Sequence, residues 1–144
     1  MFNLIYRDGA PENAGHYEGF QKDAKATVMS VGELVSVTNG VASKYASGNP
    51  YGVVARASGD DEEDVAVLRI TGDMIFRADA GSDPARLIDV TKGWKCAVDY
   101  KYVKGIGEGN EATPFEITEI VKNGAIIGNN IVGMILEGRF TNSN

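Results

Sequence analysis

The chain has 144 residues, 43% hydrophobic and 24% charged, which is enough apolar material for one globular domain and is not the composition of a disordered chain. Lys and Arg total 14 against 20 for Asp and Glu, and the net charge of −6 excludes a protein that coats duplex nucleic acid or clings to an anionic membrane by charge. Glycine is the outlier at 18 residues, pointing to turns and short strands rather than long helices.

Residues 1–25 differ from the rest. Phe2, Leu4, Ile5 and Tyr6 precede the turn-rich stretch Arg7–Gly15, and Tyr17 and Phe20 follow it. Apolar anchors spaced through polar, Gly-rich sequence suit an extended arm that docks on another surface. The same pattern suits an edge strand of the domain itself, and alternation alone does not separate the two.

From Ala26 onward strand signals come quickly. Glu33–Thr38 sets Val35 and Val37 on one face and Leu34, Ser36 and Thr38 on the other; Asn39-Gly40 and then Val41–Tyr45 follow. Asn-Gly tolerates positive φ at both central positions, so this reads as a hairpin closed by a type I′ turn. Tyr51–Ala57 is a further strand. Asp60–Asp64 is a run of five carboxylates that lacks the alternating spacing of a calcium loop, and it reads as a solvated loop. Val65–Thr71 is nearly continuous apolar sequence, as in a strand buried on both faces. Gly72 then marks a bulge or corner before the alternating Asp73–Asp79.

Ser82–Ile88 is the one good helix start. Asp83 can cap, Pro84 fits the first turn, and a Lys92-Gly93 stop limits the helix to about two turns. Trp94, Cys96, Val98, Tyr100 and Tyr102 then fall on one face of a long period-2 stretch. That row reads as core-facing, with a base- or sugar-stacking platform as the alternative. Lys104–Asn110 lacks the Gly-Lys-Ser/Thr ending of a phosphate loop and the third glycine of a dinucleotide fingerprint, so it reads as a flexible turn. Phe115–Val121 alternates, Asn123-Gly124 marks a turn, and Asn130–Phe140 is a closing strand containing Gly133 and Gly138. Thr141–Asn144 reads as a frayed tail. About nine or ten short strands with one short helix indicate a small β-barrel or sandwich.

The rarest residues narrow the chemistry. With one Cys, Cys96, no intrachain disulfide or multi-Cys zinc site can form, and one His, His16, removes every site needing two imidazoles. Cys96 sits in an alternating apolar row and reads as a small buried hydrophobe rather than a nucleophile. No nucleophile elbow and no outstanding carboxylate pair is present, so an enzyme is disfavoured. No run approaches the ~20 apolar residues of a spanning helix, and Met1–Arg7 lacks the apolar core of a signal peptide. A reducing, aqueous compartment is expected, with no metal, cofactor, direct nucleic-acid contact or membrane contact.

Taken in order, several stretches resemble the tailed-phage capsid decoration, or head-stabilisation, proteins of the β-tulip type. Gly32-Glu33-Leu34-Val35-Ser36-Val37 is similar to the family's opening "G-D-L-V-x-V" strand, and Tyr51-Gly52-Val53-Val54-Ala55 to its "x-G-V-A" strand. Val65–Phe76 resembles "V-x-V-x-x-x-G-V-F", with Gly72 at the family's glycine. Lys92–Asp99 resembles "x-G-D-x-V-Y-x-D", and Ile131–Glu137 the late "x-I-G-x-A-L-E" strand. The match covers roughly residues 30–140. Asp60–Asp64 and Val103–Thr113 stand as insertions, and the first 25 residues have no counterpart.

The resemblance implies a mainly β protein: an N-terminal arm over 1–25, a β-barrel or β-tulip decoration domain over 26–140 with one short helix, and a tail over 141–144. It implies a non-enzymatic virion protein, made in the host cytoplasm, that binds the outer surface of the head as a homotrimer and stabilises the expanded shell. The expected partner is the major capsid protein, contacted through Phe2, Leu4, Tyr6, Tyr17 and Phe20 by strand addition. Alternatives are another virion role, as a tail or head-fibre base domain, or a small ligand-binding barrel using Trp94, Tyr100 and Tyr102.

Overall fold

The computed structural model describes residues 1–7, 17–81, 87, 90–107 and 112–141, and it is almost entirely β. The strands are β1 (Phe2–Arg7), β2 (Tyr17–Lys22), β3 (Leu34–Thr38), β4 (Val41–Lys44), β5 (Gly52–Arg56), β6 (Asp64–Arg69) and β7 (Met74–Asp79). They continue with β8 (Lys95–Val98), β9 (Val103–Ile106), β10 (Phe115–Lys122), β11 (Ala125–Ile127), β12 (Asn130–Val132) and β13 (Ile135–Phe140). Strands β2-β4-β3-β5-β6 close into a small barrel, because β2 pairs with both β4 and β6. The remaining long strands form a six-stranded sheet in the order β1-β7-β13-β10-β8-β9, and β11 and β12 form a separate ribbon. A mainly β fold with a small barrel, as expected from the sequence, is what the chain adopts.

Local chemistry explains the best-defined turn. Asn39 and Gly40 take φ of 52° and 78°, and Thr38 pairs with Val41, the arrangement of the expected I′ hairpin. Apolar runs appear where a strand separates two cores. Val35, Val54, Val65 and Val67 fill the barrel with Met29 and Ala42. Their chain neighbours Leu34, Val53 and Leu68, joined by Ile70, pack outward into the larger core against the sheet. A strand with apolar partners on both faces reads as continuous hydrophobic sequence. At Thr71–Asp73 the chain turns out of the barrel and into β7, with the Met74 amide donating to the Thr71 carbonyl, so the expected corner at Gly72 is present.

The larger core is organised by four phenylalanines from four strands. Phe140 lies 5.7 Å from Phe2, 5.5 Å from Phe76 and 5.0 Å from Phe115, in edge-on or tilted contacts that aromatic rings favour. The far edge of the sheet also curls back: Ala80, just after β7, bridges Val103 of β9, and the Gly81 amide donates to the Val103 carbonyl.

Several expectations are corrected. Residues 1–25 are not an arm apart from the domain: β1 pairs with β7, β2 is a stave of the barrel, and Phe2 is buried among the aromatic rings. The edge-strand reading of β1 is the one realised, since apolar side chains at Phe2 and Leu4 gain more by closing the domain's own core. The long strand expected over Trp94–Tyr102 stops at Val98. There the Asp99 carboxylate accepts the Lys101 amide and the Asp99 amide donates to the Tyr102 carbonyl, turning the chain into β9. Val103–Ile106, expected as part of a flexible turn, is therefore a strand paired with β8. The single closing strand over Asn130–Phe140 is two strands, β12 and β13, parted at Gly133. Thr141, expected to fray, donates its amide to the Pro114 carbonyl. The expected helix at Ser82–Ile88 lies outside the described residues except for Leu87, which is buried.

Candidate docking surfaces

Cys96 is buried on β8, and burial pushes its thiol up to about 12, so it is an inert core residue as the sequence indicated. His16 lies outside the described residues. Among the described residues no three His, Cys, Asp or Glu side chains gather as a metal site. Asp60–Asp64 is exposed, and Glu62 turns back to accept the Gly59 amide, which leaves a solvated loop.

Lys22 is the most unusual polar residue. It is 3% exposed at the end of β2, and its ammonium donates to the carbonyls of Lys25, Thr27 and Gly59 at 3.0, 2.6 and 2.7 Å. Three donors meet three acceptors, so the charge is fully used in tying two loops to the barrel. Glu33 is also buried, and its carboxylate accepts the Ser30 amide at 2.7 Å. Both residues are structural anchors. The Tyr51 hydroxyl donates to Glu18; burial first, and that hydrogen bond second, raise its pKa.

The aromatic row does not form a stacking platform. Trp94 and Tyr102 sit at opposite ends of β8, a separation of about 13 Å for four extended residues. Tyr100, between them in sequence, is half-buried with the Lys44 and Lys101 ammonium groups 4.8 and 5.2 Å from its ring centroid. Both the core-facing row and the ligand face built on these three residues fail for one reason: the Asp99 turn breaks the strand that would align them.

What remains is surface shape and apolar exposure. A cleft of about 270 Å³ runs between β1 and the barrel. Phe2, Leu4 and Phe76 form one side, Val53, Ala55 and Leu68 the other, and Tyr17 and Val31 stand at the mouth. Its lining holds no charged residue, and Tyr17 and Val31 are 61% and 52% exposed. β1 is an edge strand. Its Phe2 amide is bonded to the Gly32 carbonyl of the barrel, and beyond that point no described strand pairs with its outer edge.

The residues expected to make the capsid contact therefore divide. Phe2, Leu4 and Tyr17 line this one cleft, Phe2 as a buried floor rather than a free anchor. Phe20 instead packs edge-on to Tyr51 with centroids 5.5 Å apart, and the Tyr6 side chain lies outside the described residues. Val31 was not singled out from sequence, since it reaches the cleft only through the fold of the barrel. A second apolar surface, equally unmarked in the sequence, is the β11–β12 ribbon with Ile126, Ile127 and Val132 exposed. The chain matches no family model and no curated protein.

Proposed function

We propose that this chain is a non-enzymatic structural protein of a tailed-phage virion that binds the outer surface of the head through the major capsid protein and stabilises the expanded shell. The observation that carries this reading is the uncharged cleft beside an edge strand, with Tyr17 and Val31 exposed at its mouth. An extended segment of a capsid subunit can add to the outer edge of β1 and cover those two side chains, so backbone hydrogen bonds supply affinity and the apolar wall supplies register. The ordered resemblance of residues 30–140 to the head-stabilisation proteins supports the same reading. So does a scaffold with short strands and few mobile parts, which suits bracing better than catalysis. Three copies around a three-fold position of the shell complete the proposal.

The test uses purified particles of the phage from which the chain comes. Antibody against the chain is expected to label heads, and the full-length protein to rebind expanded heads stripped of it. Tyr17→Asp, at an exposed position, is expected to weaken rebinding about tenfold or more without moving the thermal melt. Label confined to tails, or undiminished rebinding of Tyr17→Asp, overturns the capsid reading or its placement at the cleft.

A further inference from the structure

We propose that the β11–β12 ribbon is a self-association surface, on which a second copy of this chain docks. The ribbon is built to persist at the surface. Ile131 and Met134 are buried at its root, Gly124 lies against the Ile131 side chain, and the pairing of Ala125–Ile127 with Asn130–Val132 runs without a register shift. Its outer side chains are apolar and open to solvent: Ile126, Ile127 and Val132 are each half or more exposed, and Val121 of β10 stands exposed nearby in sequence.

A two-stranded ribbon is marginal on its own, and natural edges are normally blunted by Lys, Pro or a bulge. None of these occurs between Ala125 and Val132. Among the described residues no third strand pairs with either edge. The ribbon therefore retains both of its pairing edges and an apolar face.

Charge selects the occupant. The ribbon lies within Asn123–Leu136, 14 residues without a charged side chain and the longest such span in the sequence. Two copies each carrying −6 repel over most of their surface. In a symmetric contact a residue meets its own equivalent or a near neighbour, so any charge there opposes itself. A different partner chosen to complement an acidic protein would be met by charged residues, which this face lacks. An uncharged, β-competent edge is the condition under which an acidic chain can pair with itself. The inference concerns this chain alone and stands whether or not the virion reading holds.

Sedimentation velocity on the full chain tests it, from low to high micromolar concentration. The wild-type protein is expected to form a species heavier than the monomer, and the mass gives the number of copies. Ile127→Glu and Ile127→Lys, at a 65% exposed site, are each expected to weaken assembly tenfold or more with an unchanged thermal melt. Mixing the two variants is expected to restore the heavy species, because opposite charges then replace like ones. A wild-type chain that stays monomeric throughout overturns the inference, as does assembly of Ile127→Glu at wild-type strength. A monomeric wild type whose Ile127→Glu variant also loses head binding assigns the ribbon to the shell and overturns self-association while leaving the virion reading intact.

Discussion

The Phe2 amide donates to the Gly32 carbonyl at 2.8 Å, and this one bond bolts the sheet's edge strand to the barrel. Gly32 holds φ of +94°, and a Cβ there would stand 2.8 Å from Met1 Cβ and 3.3 Å from the Phe2 backbone. The Phe2 ring meanwhile packs between Phe115 and Phe140. Phe2→Ala is expected to cost about 3–5 kcal/mol, as for other fully buried rings, and to lower Tm on the order of 10 °C. Gly32→Ala is expected to destabilise in the same sense, by strain rather than cavity. Removal of residues 1–20 would take β1 and most of β2 with it, so it is expected to unfold the domain by circular dichroism instead of yielding a folded, binding-deficient core.

Lys22→Met tests the loop anchor. The methionine keeps most of the aliphatic volume but abandons three carbonyls that the ammonium now satisfies. Losing charged hydrogen bonds at a buried site is expected to cost about 3 kcal/mol in chemical denaturation. Hydrogen exchange should rise first in the backbone around residues 23–27 and 58–60. A variant as stable as wild type would show that the cage contributes geometry without energy.

What could be read in advance from this sequence was what neighbouring residues decide among themselves. Asn39-Gly40 fixed a hairpin because both residues tolerate positive φ, and Val65–Arg69 was legible as doubly buried because its apolar run is unbroken. What could not be read was long-range. Nothing near Lys22 announces that carbonyls from Thr27 and Gly59 converge on it. Alternation from Trp94 to Tyr102 looks like one strand because the Asp99 side chain that ends it is only one polar residue among several. The break at Gly133 is hidden by Ile-Val on one side and Met-Ile on the other. The cleft joins Leu4 to Val31 and Ala55, residues brought together by strand pairing across two sheets, so only its exposed Tyr17 and buried Phe2 were visible as anchors.

Gly138 illustrates the same limit and gives a sharp prediction. Sequence marks it as a bend, whereas in β13 it makes room for the Phe115 ring, whose edge atoms would lie 2.5 and 2.6 Å from an added Cβ, with the Glu116 carbonyl also in contact. The neighbouring backbone cannot yield without breaking the β10–β13 pairing that runs from Phe115–Phe140 to Lys122–Ile135. Gly138→Ala is expected to cost about 3 kcal/mol by overpacking, measured as a shift in the denaturation midpoint at unchanged m-value.

Cys96 supplies a pH prediction whose sign follows from linkage. Its thiol is held near 12 in the fold by burial, against about 9 when exposed. Between those values the folded chain keeps a proton that the unfolded chain has lost, so stability falls as pH rises through that window, and below pH 9 both states are protonated and the slope vanishes. The wild-type protein is therefore expected to lose stability from pH 9 to 12 more steeply than Cys96→Ala, by up to about 1.4 kcal/mol per pH unit. In the same window native Cys96 should resist alkylation by iodoacetamide that modifies the urea-unfolded chain within minutes. Equal slopes for the two proteins, or rapid modification of the native thiol, would show that the β8 core opens at Cys96.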